Sequence, residues 1–124
     1  MVIDTAILLC IFFNEEHSLW AEDQLEKHHS SLRMSTVNLT EVLILLQDRQ
    51  PQFFEKIREE LLSSNLRFVA PTVTQAEKAA EARLQYPLNL GDCFAYALAA
   101  EEGCPILTLD KAFLKTDASV VTPY

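Results

Sequence analysis

Short apolar runs of strand length alternate with helix-patterned segments along the whole of this 124-residue chain. Strand-length runs fall at residues 1–3, 32–35, 66–69, 106–109 and 119–121. Residues 6–13 are apolar all round and read as a buried helix, and residues 15–28 as a polar amphipathic one with Leu19, Trp20 and Leu25 inward. A third helix opens at Thr36 or Asn38, and a fourth begins near Pro51, its apolar face carrying Phe53, Phe54, Ile57, Leu61 and Leu62. A fifth is capped by Thr72 or Thr74 and runs to about residue 84, with Ala76, Ala79, Ala80 and Arg83 at helical spacing. Gly91-Asp92 starts the sixth, Gly103 stops it, and a short helix lies near residues 111–114. Such alternation argues for an α/β domain, a parallel sheet with helices over both faces.

The totals narrow the classes further. With 49% apolar residues and only two glycines, the chain is long enough to bury a real core as one domain, residues 1–124. A net charge of −8 opposes a nonspecific grip on nucleic acid, which rests on Lys and Arg meeting phosphates. It leaves open a nucleic-acid substrate held through a divalent cation, since bound cations invert the local field. Cys10, Cys93 and Cys104 lie in apolar segments without paired spacing, so buried thiols in a reducing cytoplasm are expected rather than disulfides or zinc. No amino-terminal basic region marks a signal peptide, and the longest apolar run, residues 6–13, falls well short of the roughly 20 residues of a membrane helix. The expected setting is soluble and cytoplasmic.

Four acids stand at element ends. Asp4 follows the first strand, Glu41 lies a turn into the third helix, Asp92 starts the sixth, and Asp110 follows the fourth strand. With the first strand central and the second and fourth beside it, Asp4, Glu41 and Asp110 converge at the carboxyl edge of the sheet, where open α/β folds bind ligands. Asp92 enters from the same edge. Gathered carboxylates raise one another's pKa unless a cation joins them, and hard oxygen donors suit Mg²⁺ or Mn²⁺. Metal-assisted displacement at phosphorus is the chemistry such a cluster serves best. Each acid also has a plainer reading. Asp4, Asp92 and Asp110 suit helix N-caps, and Asn38-Leu-Thr-Glu41 fits a capping box. Glu41 resists that reading most, with Val37, Ile44 and Leu45 around it.

Val2-Ile3-Asp4-Thr5, Ser35-Thr36-Val37-Asn38-Leu39-Thr40-Glu41, the stretch from Leu90-Gly91-Asp92 to Ala99, and Leu107-Thr108-Leu109-Asp110 together resemble the PIN-domain family. Within it the chain is similar to VapC-type ribonuclease toxins. The resemblance implies a three-layer fold with a sheet of four to five parallel strands in the order 3-2-1-4-5. It also implies a metal site of Asp4, Glu41, Asp92 and Asp110, with Thr5 beside it. Mg²⁺- or Mn²⁺-dependent RNA cleavage to a 3′-hydroxyl and a 5′-phosphate, a homodimer and a cognate antitoxin follow from the same likeness. Asp110 takes the fourth position by Thr-x-Asp spacing, with Asp117 in Thr116-Asp117 as the alternative.

Thr108 is placed to orient a water or Asp110, or is simply a strand-end threonine. His17, His28 and His29 are expected at the surface, away from the acids, and Lys111 and Lys115 as solvated lysines. Phe12, Phe13 and the segment from Pro51 to Leu62 offer an apolar groove for a partner helix, or an ordinary core. The alternative from another class is a PIN-like scaffold that binds protein without catalysis. A receiver or phosphatase is disfavoured, because Asp4 is followed by Thr5-Ala6 rather than by an Asp-x-Asp pair.

Overall fold

The computed structural model describes residues 1–124. In chain order it comprises β1 (Val2–Ile3), α1 (Thr5–Phe12), α2 (Ser18–Lys27), β2 (Arg33–Ser35), α3 (Thr36–Arg49), α4 (Phe54–Leu62), β3 (Arg67–Val69), α5 (Val73–Gln85), α6 (Leu90–Glu102), β4 (Ile106–Leu107), a 3₁₀ turn (Lys111–Lys115) and β5 (Val120–Val121). The five strands form one parallel sheet in the order β3-β2-β1-β4-β5. The expected order and three-layer α/β class are what the molecule shows.

Two residues of β1 divide the core. Successive side chains of a strand point to opposite faces. Val2 enters the cluster with Ala79, Ala82, Leu98, Ile106 and Phe113, under α5 and α6. Ile3 enters the other, with Ile7, Leu8, Met34, Val42, Leu46 and Leu107, under α1 to α4. Both residues are fully enclosed, as a central parallel strand requires.

Several helix faces are rotated from their expected positions. Leu19 is 80% exposed, and α2 packs through Ser18 and Ala21 with Trp20 and Leu25 only half-buried. His17, in the left-handed region at φ 71°, sets the helix start and so the phase of the inner face. Helix α5 packs through Gln75, Ala79 and Ala82, leaving Ala76, Ala80 and Arg83 outside. In α4, Phe53 and Leu62 are exposed while Phe54, Ile57 and Leu61 face in. Helix α1 is only partly enclosed, with Leu9, Ile11 and Phe12 half-buried.

The helix ends also differ in detail. Ser35 caps α3 by accepting from the Val37 amide, and Thr72 caps α5. Asn89 caps α6 through the Asp92 amide, so the helix starts at Leu90, one residue before Gly91. Gly103, at φ 63°, closes that helix in the left-handed form that glycine tolerates. Strand β4 stops at Leu107 rather than Leu109, because the Thr108 hydroxyl accepts the Asp110 amide at 2.9 Å and turns the chain.

These placements predict unequal costs for two leucines. Leu98→Ala, in the fully enclosed face of α6, should destabilise by about 2–5 kcal/mol in urea unfolding. Leu19→Ala should fall within about 0.5 kcal/mol of the parent.

Candidate active site

The end of β1 delivers Asp4 to the carboxyl edge of the sheet, where the side chain is 1% exposed. One carboxylate oxygen caps α1 by accepting from the Ile7 amide at 3.3 Å. The other accepts from the Thr108 hydroxyl, which reaches across from the end of β4. Thr108 is itself fully enclosed and receives the Asp110 amide, so one hydroxyl orients two acids. Asp110 in turn caps the 3₁₀ turn by accepting from the Ala112 amide at 2.9 Å.

Asp92 occupies the first turn of α6 behind its Asn89 cap and faces the same space. Burial pushes the Asp4 carboxyl up to about 7, opposed by its hydrogen bonds and reinforced by the Asp110 charge. Burial also pushes Asp92 up to about 7, followed by the charges of Asp110 and Asp4. Asp4, Asp92 and Asp110 are therefore one electrostatic group. None of the ion pairs in the molecule involves any of them.

Glu41 is anchored differently from the expected capping box. Its Oε1 accepts from the Thr5 hydroxyl at 2.7 Å and from the Asn38 side-chain amide at 3.2 Å, not from a backbone amide. Nor is its face apolar throughout, since Ile44 is 60% exposed and Val37 and Leu45 are half-buried. The carboxylate lies over Gly91, where a Cβ would come within 2.2 Å of Oε1. Glycine is needed here for close approach, and it sits beside Asp92.

The PIN domain family matches residues 1–119. The chain belongs to the PIN-domain family. A VapC ribonuclease of Mycobacterium bovis is 31% identical over 126 residues, 94% of this chain and 95% of its own length. A ribonuclease VapC of Mycolicibacterium smegmatis is 35% identical over 132 residues, 98% of this chain and 99% of its own. Among solved structures, a chain of a toxin–antitoxin complex from Klebsiella pneumoniae matches with a TM-score of 0.79 at 23% identity, covering 99% of this chain and 97% of that one. Mycobacterium tuberculosis VapC20, a sarcin–ricin-loop-cleaving toxin, matches at 0.81 and 16% identity, over 94% of this chain and 95% of that one. At those identities the structural likeness is one of fold.

Within this PIN domain the two readings of the fourth acid separate. Asp110 shares charge with Asp4 and Asp92, whereas Asp117 is exposed and accepts a hydrogen bond from the Tyr96 hydroxyl. That bond lowers the Asp117 carboxyl and fixes it beside a separate cavity with Lys78, Cys104 and Ser119. His17 stands edge-on to Tyr124 at 5.4 Å, and Lys111 Nζ lies over the same Tyr124 ring at 4.5 Å. His28 is half-buried, His29 exposed, and neither joins the acids. Asn38 and Asn89 are polar residues of the site that the acid pattern did not single out. The signal for Asn38 was its place one turn before Glu41.

Hard carboxylate oxygens that repel one another and lack a counter-charge suit Mg²⁺ or Mn²⁺ in chemistry. As the side chains stand, no three acid, imidazole or thiol groups are close enough together to hold a metal ion. Asp4 is engaged by Thr108, and Glu41 by Thr5 and Asn38.

The raised acids give a signed pH dependence. Folded Asp4 and Asp92 keep their protons up to about 7, whereas the unfolded carboxyls lose theirs near 3.8. Stability of the metal-free chain should therefore fall as pH rises through that window and level off above it. Thermal unfolding in chelator should show a lower Tm at about pH 7.5 than at about pH 5, with the difference reduced in Asp4→Asn. An equal pH slope in that variant would contradict the assignment.

Proposed function

We propose that this PIN domain is an endoribonuclease dependent on Mg²⁺ or Mn²⁺, and the toxin partner of a VapBC-type pair. The observation that carries the reading is the group of buried Asp4 with half-buried Asp92 and Asp110, mutually repelling and without an ion-paired cationic side chain. Relatives named VapC ribonucleases, at 31% and 35% identity over nearly the whole chain, support RNA as the substrate class.

Asp4, Asp92 and Asp110 would hold the cation, with Glu41 as the fourth acid. When bound, such a cation supplies a water of lowered pKa and neutralises charge on the departing oxygen. The chain's own part is orientation. Thr108 aims Asp4 and Asp110 together, the Ile7 amide pins the second oxygen of Asp4, and Thr5 sets the direction of Glu41. The acids are thereby held in set directions, and a bound cation would draw the raised carboxyls of Asp4 and Asp92 into their charged form for phosphodiester cleavage to a 3′-hydroxyl and a 5′-phosphate.

An apolar groove of about 350 Å³ between α1, α2 and α4 suits the antitoxin. Its floor carries Leu8, Ile11, Phe12, Leu25 and Leu61, and Glu22, Glu26 and Glu60 stand at its rim. An amphipathic helix with basic flanks complements both features. Exposed Ile44, Val73 and Leu84 leave apolar surface for the homodimer that the family resemblance implies.

Asp4→Asn and Asp92→Asn should each reduce RNA cleavage by about a hundred-fold or more, since even groups that only orient ligands cost roughly 10–100-fold. Circular dichroism should show both variants folded, and full cleavage by either, with contaminating nuclease excluded, would reject the assignment. Phe12→Asp should leave cleavage by the free chain intact. It should weaken binding of a cognate VapB-type antitoxin by about ten-fold or more in calorimetry, as loss of a buried anchor does.

A further inference from the structure

Asn38 is the point at which three segments of the site meet. Its side chain is fully enclosed. The amide nitrogen lies 3.0 Å from the Gly91 carbonyl oxygen, 3.2 Å from Glu41 Oε1 and 3.2 Å from Thr5 Oγ1. A carboxamide has two N–H hydrogens, so three acceptors require at least one to be shared. The orientation is set by chemistry: a flipped amide would face its oxygen toward three oxygens, of which only the Thr5 hydroxyl has a proton to give.

The arrangement leaves Asn38 Oδ1 buried and without a partner. An unpaired buried carbonyl costs stability, a cost that an apolar side chain would not carry. Helix α3 does not need the side chain as a cap, because Ser35 serves there. The donors are thus directed at the site at the expense of the helix that carries them.

The geometry points to Asn38 as a positioning residue for Glu41. It links the Glu41 carboxylate to the Gly91–Asp92 peptide, and so sets the spacing between the fourth acid and the aspartate group. Gly91 completes the arrangement by letting the carboxylate approach: a Cβ there would fall 2.6 Å from the Glu41 carboxyl carbon. Thr5 also donates to Glu41, but only Asn38 joins Glu41 to α6. The inference rests on the cation-dependent reading of the site and assigns Asn38 its part in binding.

Manganese affinity measured by calorimetry tests it on the full chain, alongside the Mn²⁺ concentration for half-maximal RNA cleavage. Asn38→Leu keeps the branched outline, though it is larger, and removes the donors, and Asn38→Ala is the second variant should leucine distort α3. Either folded variant should weaken Mn²⁺ binding by about ten-fold or more, the usual cost of losing a group that orients a ligand. In a Glu41→Gln background the same change should have little further effect, because Asn38 acts through Glu41. Unchanged Mn²⁺ affinity in both single variants, or an equal loss with and without Glu41, would overturn the positioning role. Absence of Mn²⁺ binding by the parent chain would instead remove the cation-dependent reading beneath it.

Discussion

The carboxylate of Asp4, buried at the end of the central strand, is the constraint on which the rest of the site depends. A charged group withdrawn from water is tolerated only with hydrogen bonds or a counter-ion. Here the Ile7 amide and the Thr108 hydroxyl supply the first, and no side chain supplies the second. The same threonine ends β4 and turns Asp110 inward. A single buried hydroxyl therefore couples strand termination, acid orientation and the electrostatic strain that a divalent cation would relieve.

The sheet makes that convergence possible. With β1 between β2 and β4, the segments after all three strands open onto one edge, the place where parallel α/β sheets offer a crevice. Val2 and Ile3 hold the strand from opposite faces, so the position of Asp4 is anchored by two separate cores. Helix α6 then brings Asp92 to the same edge in its first turn, and Gly91 allows Glu41 to lie against that turn.

The strand–helix alternation and the order of the acids were legible because both are local patterns: apolar runs of strand length, and a carboxylate at each end that matters. What escaped depends on phase or on distant partners. The outward turn of Leu19 follows from the left-handed backbone at His17, which no periodicity displays. In α5, alanines on neighbouring faces look alike, and the buried face proved to contain Gln75, Ala79 and Ala82. Asn38 looked like part of a capping box, whereas its amide reaches Gly91 from 53 positions away in sequence. Spacing favours Asp110 with Asp117 as the alternative, and their surroundings differ in that Asp110 acts on Asp4 and Asp92 while the Tyr96 hydroxyl holds Asp117 aside.

The distribution of the cations bears on how so acidic a chain would meet RNA. Of its ten lysines and arginines, Lys27, Arg33 and Arg58 are paired with Asp23, Glu102 and Glu55. Arg49 lies over Phe13 and Lys111 over Tyr124. Half of the positive charge is thus committed to contacts within the chain. Affinity for a polyanion grows with the number of phosphates neutralised. With few free cations, the protein surface contributes little nonspecific attraction, and a cation held among the carboxylates, as proposed, would be the strongest local positive charge available to a phosphodiester. Under the proposed function, discrimination among RNAs would fall to shape and to contacts around the acid edge rather than to overall charge.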